Sequence, residues 1–297
     1  MGYTIAEKIL LAHTDKIDIR AGEFIEADVD LALGNDITAP LAIEEFRKAG
    51  FKKVFDKDRI VLVPDHFAPA KDLRSANQCK VLADFAKEQG IKNYFEVGRM
   101  GIEHALLPEL GLVGSGDLVI GADSHTCTYG ALGSYSTGVG STDLARAFVD
   151  GKVWLKVPPS IKFVYKGKLK KWVGGKDLIL FTIGKVGVGG ALYKVMEFGG
   201  PVIENLGMDD RLAMCNMAIE AGARAGLIEP DKITEKYIVE TVSAVKRRSK
   251  SRKLSLNLKS DKDAHYEKTY EWDVSGLEPQ VACPHLPSNV KQARGLK

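Results

Sequence analysis

Apolar residues along the first half of the chain alternate between two periods. Ala27–Leu31 alternates apolar and polar residues and Ala32–Leu33 continue it as apolar, so Ala27–Leu33 is read as a strand. Leu41–Ala49 carries its apolar residues at helical spacing and ends at Gly50. Arg59–Pro64 is a short apolar run, read as a buried strand, and Asp65-His66 follow it directly. Ser75–Gln89 returns to helical spacing, with Ser75 as a candidate N-cap and Gly90 just past its end. Tyr94–Val97 reads as a strand, Ile102–Leu110 as a helix, and Asp117–Ala122 as another apolar strand that runs into Asp123-Ser124-His125.

Strands that alternate with helices predict an α/β layered fold with a mostly parallel sheet. Such folds bind ligands in the crevice beyond the carboxyl ends of their strands. Two acid–histidine groups stand at two such ends. The glycine-rich stretch Gly130–Gly140 precedes a helix with Ser141 or Thr142 as its cap. It contains no phosphate-loop or dinucleotide fingerprint, so it is read as a loop that passes close to a site. Val157-Pro158-Pro159 marks a domain boundary. Beyond it, Ser160–Lys168 reads as a strand, Asp177–Ile183 as the start of a helix, and Leu212–Ala221 as a helix with Asp209 or Asp210 near its start.

Composition narrows the class. With 45% apolar and 27% charged residues the 297-residue chain is globular, and its formal net charge of +3 is too small to make nucleic acid the main partner. Lys246–Lys253 holds six basic residues in eight and is read as a solvated loop. No apolar run reaches the ~18 residues of a membrane helix, and the N-terminus lacks a signal-peptide core, so a cytoplasmic location is expected. The four cysteines, Cys79, Cys127, Cys215 and Cys283, form no close pair, which argues against a zinc knuckle and against a disulfide framework.

The candidate chemistry is acid–base. Asp65 is placed to orient His66 and raise its pKa, which suits an imidazolium that protonates a leaving group. His104 lies on the helix before Asp123 and could pair with it. Asn216 and Glu220 are four apart on a predicted helix, among small and apolar neighbours that suggest burial. A pocket of Asp65, His66, His104, Asp123, His125 and Glu220 suits a reaction that moves protons and a hydroxyl group. Two classes remain open on this ground: a hydro-lyase that uses these groups around a cofactor, and a divalent-metal hydrolase that uses them as direct ligands.

Five blocks occur together in order: Asn35-Asp36-Ile37-Thr38-Ala39-Pro40, Asp65-His66-Phe67-Ala68-Pro69, Gly101-Ile102-Glu103-His104, Gly121-Ala122-Asp123-Ser124-His125-Thr126, and Cys215-Asn216-Met217-Ala218-Ile219-Glu220-Ala221-Gly222-Ala223. They resemble the aconitase superfamily, in particular the large subunits of 3-isopropylmalate dehydratase and homoaconitase, over most of the chain. The resemblance implies three-layer α/β/α domains over 1–159 and 160–275, with 276–297 the start of a third. It implies a [4Fe–4S] cluster with one iron acting as a Lewis acid, a separate small swivelling subunit that supplies a serine base, and a hydroxy-carboxylate substrate in branched-chain amino-acid biosynthesis.

By position in these blocks, the resemblance makes His66, paired with Asp65, the acid for the leaving hydroxyl. It puts Asp123 and His104 in a second pair near that oxygen and has His125 hydrogen-bond it. Ser124 would touch substrate, and Asn216 and Glu220 would lie near the cluster. The chain departs from the pattern in three places. Asn35 stands where many relatives have His, which leaves isopropylmalate, homoaconitate and citramalate open as substrates. Residues 242–259 are rich in serine and basic residues and do not match. The G-S-C-T-N and C-x-x-C segments that would hold the cluster are not found, so none of the four cysteines is expected to be a cluster ligand. This chain alone is therefore expected to be inactive.

Overall fold

The computed structural model describes residues 2–244 and 257–296. The basic run Lys246–Lys253 lies outside them, as does most of the unmatched stretch 242–259.

After a capped first helix, α1 (Ile5–Leu11), the chain lays down β1 (Phe24–Asp28) and β2 (Leu31–Asn35). The single strand expected over Ala27–Leu33 is thus two, each overlapping one end of that stretch and running beyond it. The break is made by Asp30, whose carboxylate accepts the Leu118 amide at 2.9 Å and lies 2.6 Å from His13 Nε2. The remaining elements of this half are α2 (Ala39–Lys48), β3 (Ile60–Val63), α3 (Leu73–Gln89), β4 (Asn93–Tyr94), α4 (Glu103–Glu109), β5 (Leu118–Gly121), β6 (Tyr135–Gly138), α5 (Ser141–Asp150) and β7 (Lys152–Lys156).

Five strands pair in the order β4-β3-β2-β5-β6, all parallel, while β1 and β7 form a separate antiparallel pair. Strand order reverses between β2 and β5, because β3 was added on one side of β2 and β5 on the other. The carboxyl ends of β2, β3 and β5 therefore open on the crevice at that reversal.

The strands are buried on both faces, as parallel strands usually are. Ala32, Ile60, Leu62 and Ile120 face the layer built by Ile43 and Phe46 of α2, Phe85 of α3 and Phe148 of α5. Leu33, Val61, Val63 and Val119 face the other way, into a core shared with Leu107 of α4, Tyr129, and Phe163 and Phe198 of the second half. This shared core welds the halves together.

The second half contains β8 (Ser160–Lys166), α6 (Gly175–Val186), β9 (Val195–Gly199), α7 (Pro201–Glu204), α8 (Met208–Asn216), β10 (Ala225–Ile228), α9 (Lys232–Ala244) and β11 (Lys268–Asp273). Its sheet, β10-β9-β8-β11, is also parallel throughout. The change of sheet falls at residues 157–159. A final hairpin, β12 (Gln280–Ala282) with β13 (Val290–Gln292), lies against α6, and the Gln280 amide donates to Asp177 at 2.7 Å.

Helix ends depart from the sequence expectations where a nearby carboxylate takes over the cap. Asp72, not Ser75, caps α3 and accepts both the Ser75 amide and hydroxyl at 2.8 Å. Gly140 stands at the cap of α5, with its amide donating to Asp143 at 3.1 Å. The helix expected over Leu212–Ala221 starts earlier, at Met208, and becomes a 3-10 helix over Met217–Ala221. At that change the Cys127 thiol donates to the Asn216 carbonyl at 3.3 Å. Asp72→Ala should cost about 1 kcal/mol of stability, the usual worth of an N-cap, read as a lower urea midpoint with an unchanged slope.

Candidate active site

Three strand ends deliver the ionisable groups. β2 ends in Asn35-Asp36, β3 leads into Asp65-His66, and β5 leads into Asp123 and a 3-10 helix over Ser124–Leu132. The tight passage out of β5 depends on Gly121: a Cβ there would come within 2.2 Å of Thr126 Oγ1. Asp123 caps the 3-10 helix by accepting the His125 amide at 2.7 Å, which fixes that histidine beside the strand end.

Asp65 and His66 form a direct pair, Nδ1 to Oδ1 at 2.7 Å. Asp36, wholly buried, holds this loop from below by accepting the His66 amide at 3.1 Å and the Phe67 amide at 2.7 Å. The other ring nitrogen of His66 points to Asp123, with Nε2 3.6 Å from Oδ2. The hydrogen bond that the His66 ring donates to Asp65 outweighs burial and raises the His66 pKa to about 9, so the ring is an imidazolium at neutral pH.

Asp123 is the hub. His104 Nε2 lies 3.0 Å from its Oδ1, Asn35 Nδ2 donates to Oδ2 at 3.4 Å, and His125 Nδ1 is 3.7 Å from Oδ1. Burial alone would push this carboxyl up, but hydrogen bonds from His104 and His125 more than offset it and hold the group well below the usual carboxylate range. His104 is fixed on its far side by the Tyr129 hydroxyl, 3.0 Å from Nδ1.

His125 is raised above its ordinary pKa chiefly by Asp123, with a further contribution from Glu220. Glu220 Oε1 lies 3.6 Å from His125 Nε2, and Ser124 Oγ lies 3.3 Å from Nδ1.

The sequence-selected residues Asp65, His66, His104, Asp123, Ser124 and His125 thus come together at one reversal point. Asn216 and Glu220 reach the same place from the second half, but not as expected. Asn216 donates to Thr128 Oγ1 at 2.9 Å, and Glu220 is 37% exposed rather than buried, because the 3-10 turn swings it toward the crevice. Asn35, Asp36, Glu103 and Tyr129 are structural members of the site that the residue-by-residue reading did not select. Position alone could have flagged Asn35-Asp36, which follow an apolar strand just as the two selected groups do.

Two sets of donor atoms gather within 4.8 Å, Asp36 with Asp65 and His66, and His66 with Glu103 and Asp123. Their hydrogen bonds are those of a proton-sharing network, and neither set includes a cysteine. All four cysteines are free. Burial pushes the Cys127 thiol up to about 12 and Cys215 well above its ordinary value, and burial with Asp36 raises Cys79 to about 11. Among the described residues no helix is long and apolar enough to cross a membrane.

Residues 7–296 match the sequence profile of the aconitase family (aconitate hydratase). The chain is 62% identical over its whole length to the 3-isopropylmalate dehydratase large subunit of Thermodesulfovibrio yellowstonii, covering 68% of that protein. It is 60% identical to the large subunit of the same name from Moorella thermoacetica, again over its whole length and 68% of the relative. Its match to large subunit 1 of that enzyme from Pyrococcus furiosus is 60% identical over 97% of this chain and 66% of the relative. The chain therefore spans about two thirds of the length of these relatives.

Proposed function

The chain belongs to the aconitase family, among the large subunits of 3-isopropylmalate dehydratase, and on that footing we propose that it carries the acid–base part of a hydro-lyase site. The reaction is the interconversion of 2- and 3-isopropylmalate by loss and return of water, a step of leucine biosynthesis. The observation that carries the reading is the convergence of Asp65–His66, His104–Asp123 and His125–Glu220 at one strand-order reversal.

Dehydration breaks a C–O bond and a C–H bond on neighbouring carbons and releases water. The leaving hydroxyl needs a proton, and His66 holds one that Asp65 both stabilises and aims. His104 and Asp123 form a second pair beside it, and His125, held between Asp123 and Glu220, is placed to hydrogen-bond the departing oxygen. Ser124 is assigned to a substrate contact. Asn216 and Glu220 are assigned to the edge of the site that the cluster and the bound oxygen would share. Rehydration reverses these steps with the two carbons exchanged: water gives its hydroxyl to the carbon that lost hydrogen and its proton back to His66, while the proton taken from carbon is returned to the carbon that lost its hydroxyl.

The family implies a [4Fe–4S] cluster in the full enzyme, and the residues described here do not fit one. Such clusters are held by cysteine thiolates. Cys127 and Cys215 are wholly buried thiols, Cys79 is bonded to Asp36 at 3.4 Å, and no convergent set of donors among the described residues includes a cysteine. We therefore assign the cluster ligands to residues outside this chain, and expect no turnover from these 297 residues alone. The large-subunit name implies a small-subunit partner, to which we assign the carbon-acid base. Four free thiols fit a reducing compartment, and we place the protein in the cytoplasm.

The test is a dehydration assay on the full-length large subunit with its small subunit and cluster. It follows the conjugated alkene by ultraviolet absorbance with isopropylmalate, homocitrate (the hydrated form of homoaconitate) and citramalate. Highest kcat/KM with isopropylmalate supports the reading. No dehydration of any of the three, or hydrolysis that depends on added zinc, overturns it.

The His66 proton gives a check on the chain itself. The folded pKa is raised, so the imidazolium is the main form below about 9 and is lost as pH rises through that value. In Asp65→Asn the main cause of the shift is gone, and the midpoint should fall from about 9 toward the ordinary 6.5. Side-chain NMR of labelled histidine reads it, and an unmoved midpoint would show that Asp65 does not hold the proton.

A further inference from the structure

One carboxyl group lies beneath both acid–imidazole pairs and has no part in the reaction as assigned. Glu103 opens α4 and is 1% exposed. Its Oε1 accepts from Asn35 Nδ2 at 3.1 Å and lies 3.5 Å from His104 Nε2. Its Oε2 is buried without a hydrogen-bond partner. Its backbone is locked in place, the amide donating to Asp65 Oδ2 at 2.7 Å and the carbonyl accepting from Tyr129 at 3.4 Å.

The groups that face it are of both signs. Asp65 and His66 approach from the loop after β3, Asp123 from the end of β5, and the Tyr129 phenol from the 3-10 helix; His104 is its neighbour on α4, and Asn35 on β2 is neutral. An anion at this position would bury a charge with one oxygen unmatched, between two other carboxylates. Each of these features disfavours the ionised form.

We propose that Glu103 is a positioning residue of this site, a carboxyl group that keeps its proton at neutral pH and holds it beneath the Asp65–His66 and His104–Asp123 pairs. Burial, followed by the charge of Asp65, pushes its pKa up to about 8, in agreement with the geometry. The role follows from charge. The proposed substrate is a dicarboxylate anion, and a neutral Glu103 spares it a further fixed negative charge beside those of Asp65 and Asp123. The neutral form also keeps His66 able to release its proton, since an ionised Glu103 would bind that proton more tightly.

The proposal rests on the reading of the two pairs as reactive groups. Its test needs neither substrate nor cluster, so it can fail while the turnover assay succeeds, and the reverse. Carbon-13 NMR of the glutamate side-chain carboxyl in the intact chain reads the Glu103 midpoint directly. A midpoint near 8 is expected, and one near the ordinary 4.5 overturns the proposal. Histidine NMR of Glu103→Gln adds a second reading. In the wild type the His66 signal should show an extra inflection near pH 8, below its own titration. In the variant that inflection should vanish and the His66 midpoint should fall. Superimposable His66 curves from wild type and a folded variant would also overturn it. If the variant does not fold, the carboxyl titration of the wild type decides alone.

Discussion

His66→Asn should lower kcat of the assembled dehydratase by about a hundred- to ten-thousand-fold, the usual worth of a positioned general acid, with KM changed far less. The loss should be chemical rather than structural. The loop is held through the His66 amide, which donates to Asp36, and asparagine keeps that amide. The ring itself is about one-third exposed, so its removal leaves no sealed cavity. The expected pattern is a low kcat and a near-native KM in a protein that still folds, with an unfolding midpoint lowered only by the lost pairing with Asp65. A loss of less than ten-fold in a folded variant would remove His66 from the role of acid and pass it to His125, the other raised imidazole of the site.

Gly130→Ala should cost about 3 kcal/mol of stability or more, at or beyond the upper end of ordinary overpacking. A Cβ on Gly130 would sit 1.7 Å from the Gly226 carbonyl oxygen and 2.8 Å from its carbon. Neither neighbour is a side chain that could turn aside; both are backbone atoms of β10. The 3-10 helix that carries Ser124 and His125 therefore touches the second half main chain to main chain. A methyl group must push the two apart, and His125 would lose its approach to Glu220. Urea unfolding would measure the cost. Gly276→Ala is the control, since a Cβ there meets nothing within 4 Å and should change stability by less than about 0.5 kcal/mol. A Gly130→Ala protein as stable as that control would show that the seam is not tightly packed.

The edge of the first sheet that carries the candidate site was legible because two acid–histidine groups directly follow apolar strands. Asp65-His66 and Asp123-His125 follow runs that are buried on both faces, and a parallel fold puts such ends on one edge. Helical spacing selected Asn216 and Glu220 and set them on a regular helix, and the family blocks then put them near the cluster. The change to 3-10 geometry at Met217 was not legible, because it depends on the distant Cys127 thiol meeting the Asn216 carbonyl. The split of Ala27–Leu33 was hidden for a similar reason. Its alternation is real, but Asp30 is claimed by Leu118 and His13, which no local pattern reveals. Glu103 was passed over because a glutamate at the start of a helix usually faces water and favours the helix dipole. Here the helix start is held at the crevice by the hydrogen bond that the Glu103 amide donates to Asp65.

The N-terminal segment has a further bearing, on the order in which the chain acquires its shape at the ribosome. The Gly2 amide donates to Asp263 at 3.0 Å, the Tyr3 amide to Asp261 at 2.9 Å and the Ile5 amide to the Ser260 hydroxyl at 2.8 Å, while the Asp261 amide returns a bond to the Tyr3 carbonyl at 2.9 Å. The residues made first are thus clasped by residues made some 260 positions later. At about 5–20 residues per second, that leaves them waiting roughly 13–50 s for their partners. The first sheet can form in that interval, since all five of its strands lie before Val139. The first helix can pack on that sheet through Ile5, Ile9 and Leu10, but the amides of Gly2, Tyr3 and Ile5 stay without these partners until the polypeptide has almost doubled in length, and a nascent chain stalled near Asp150 should leave those three amides open to hydrogen exchange.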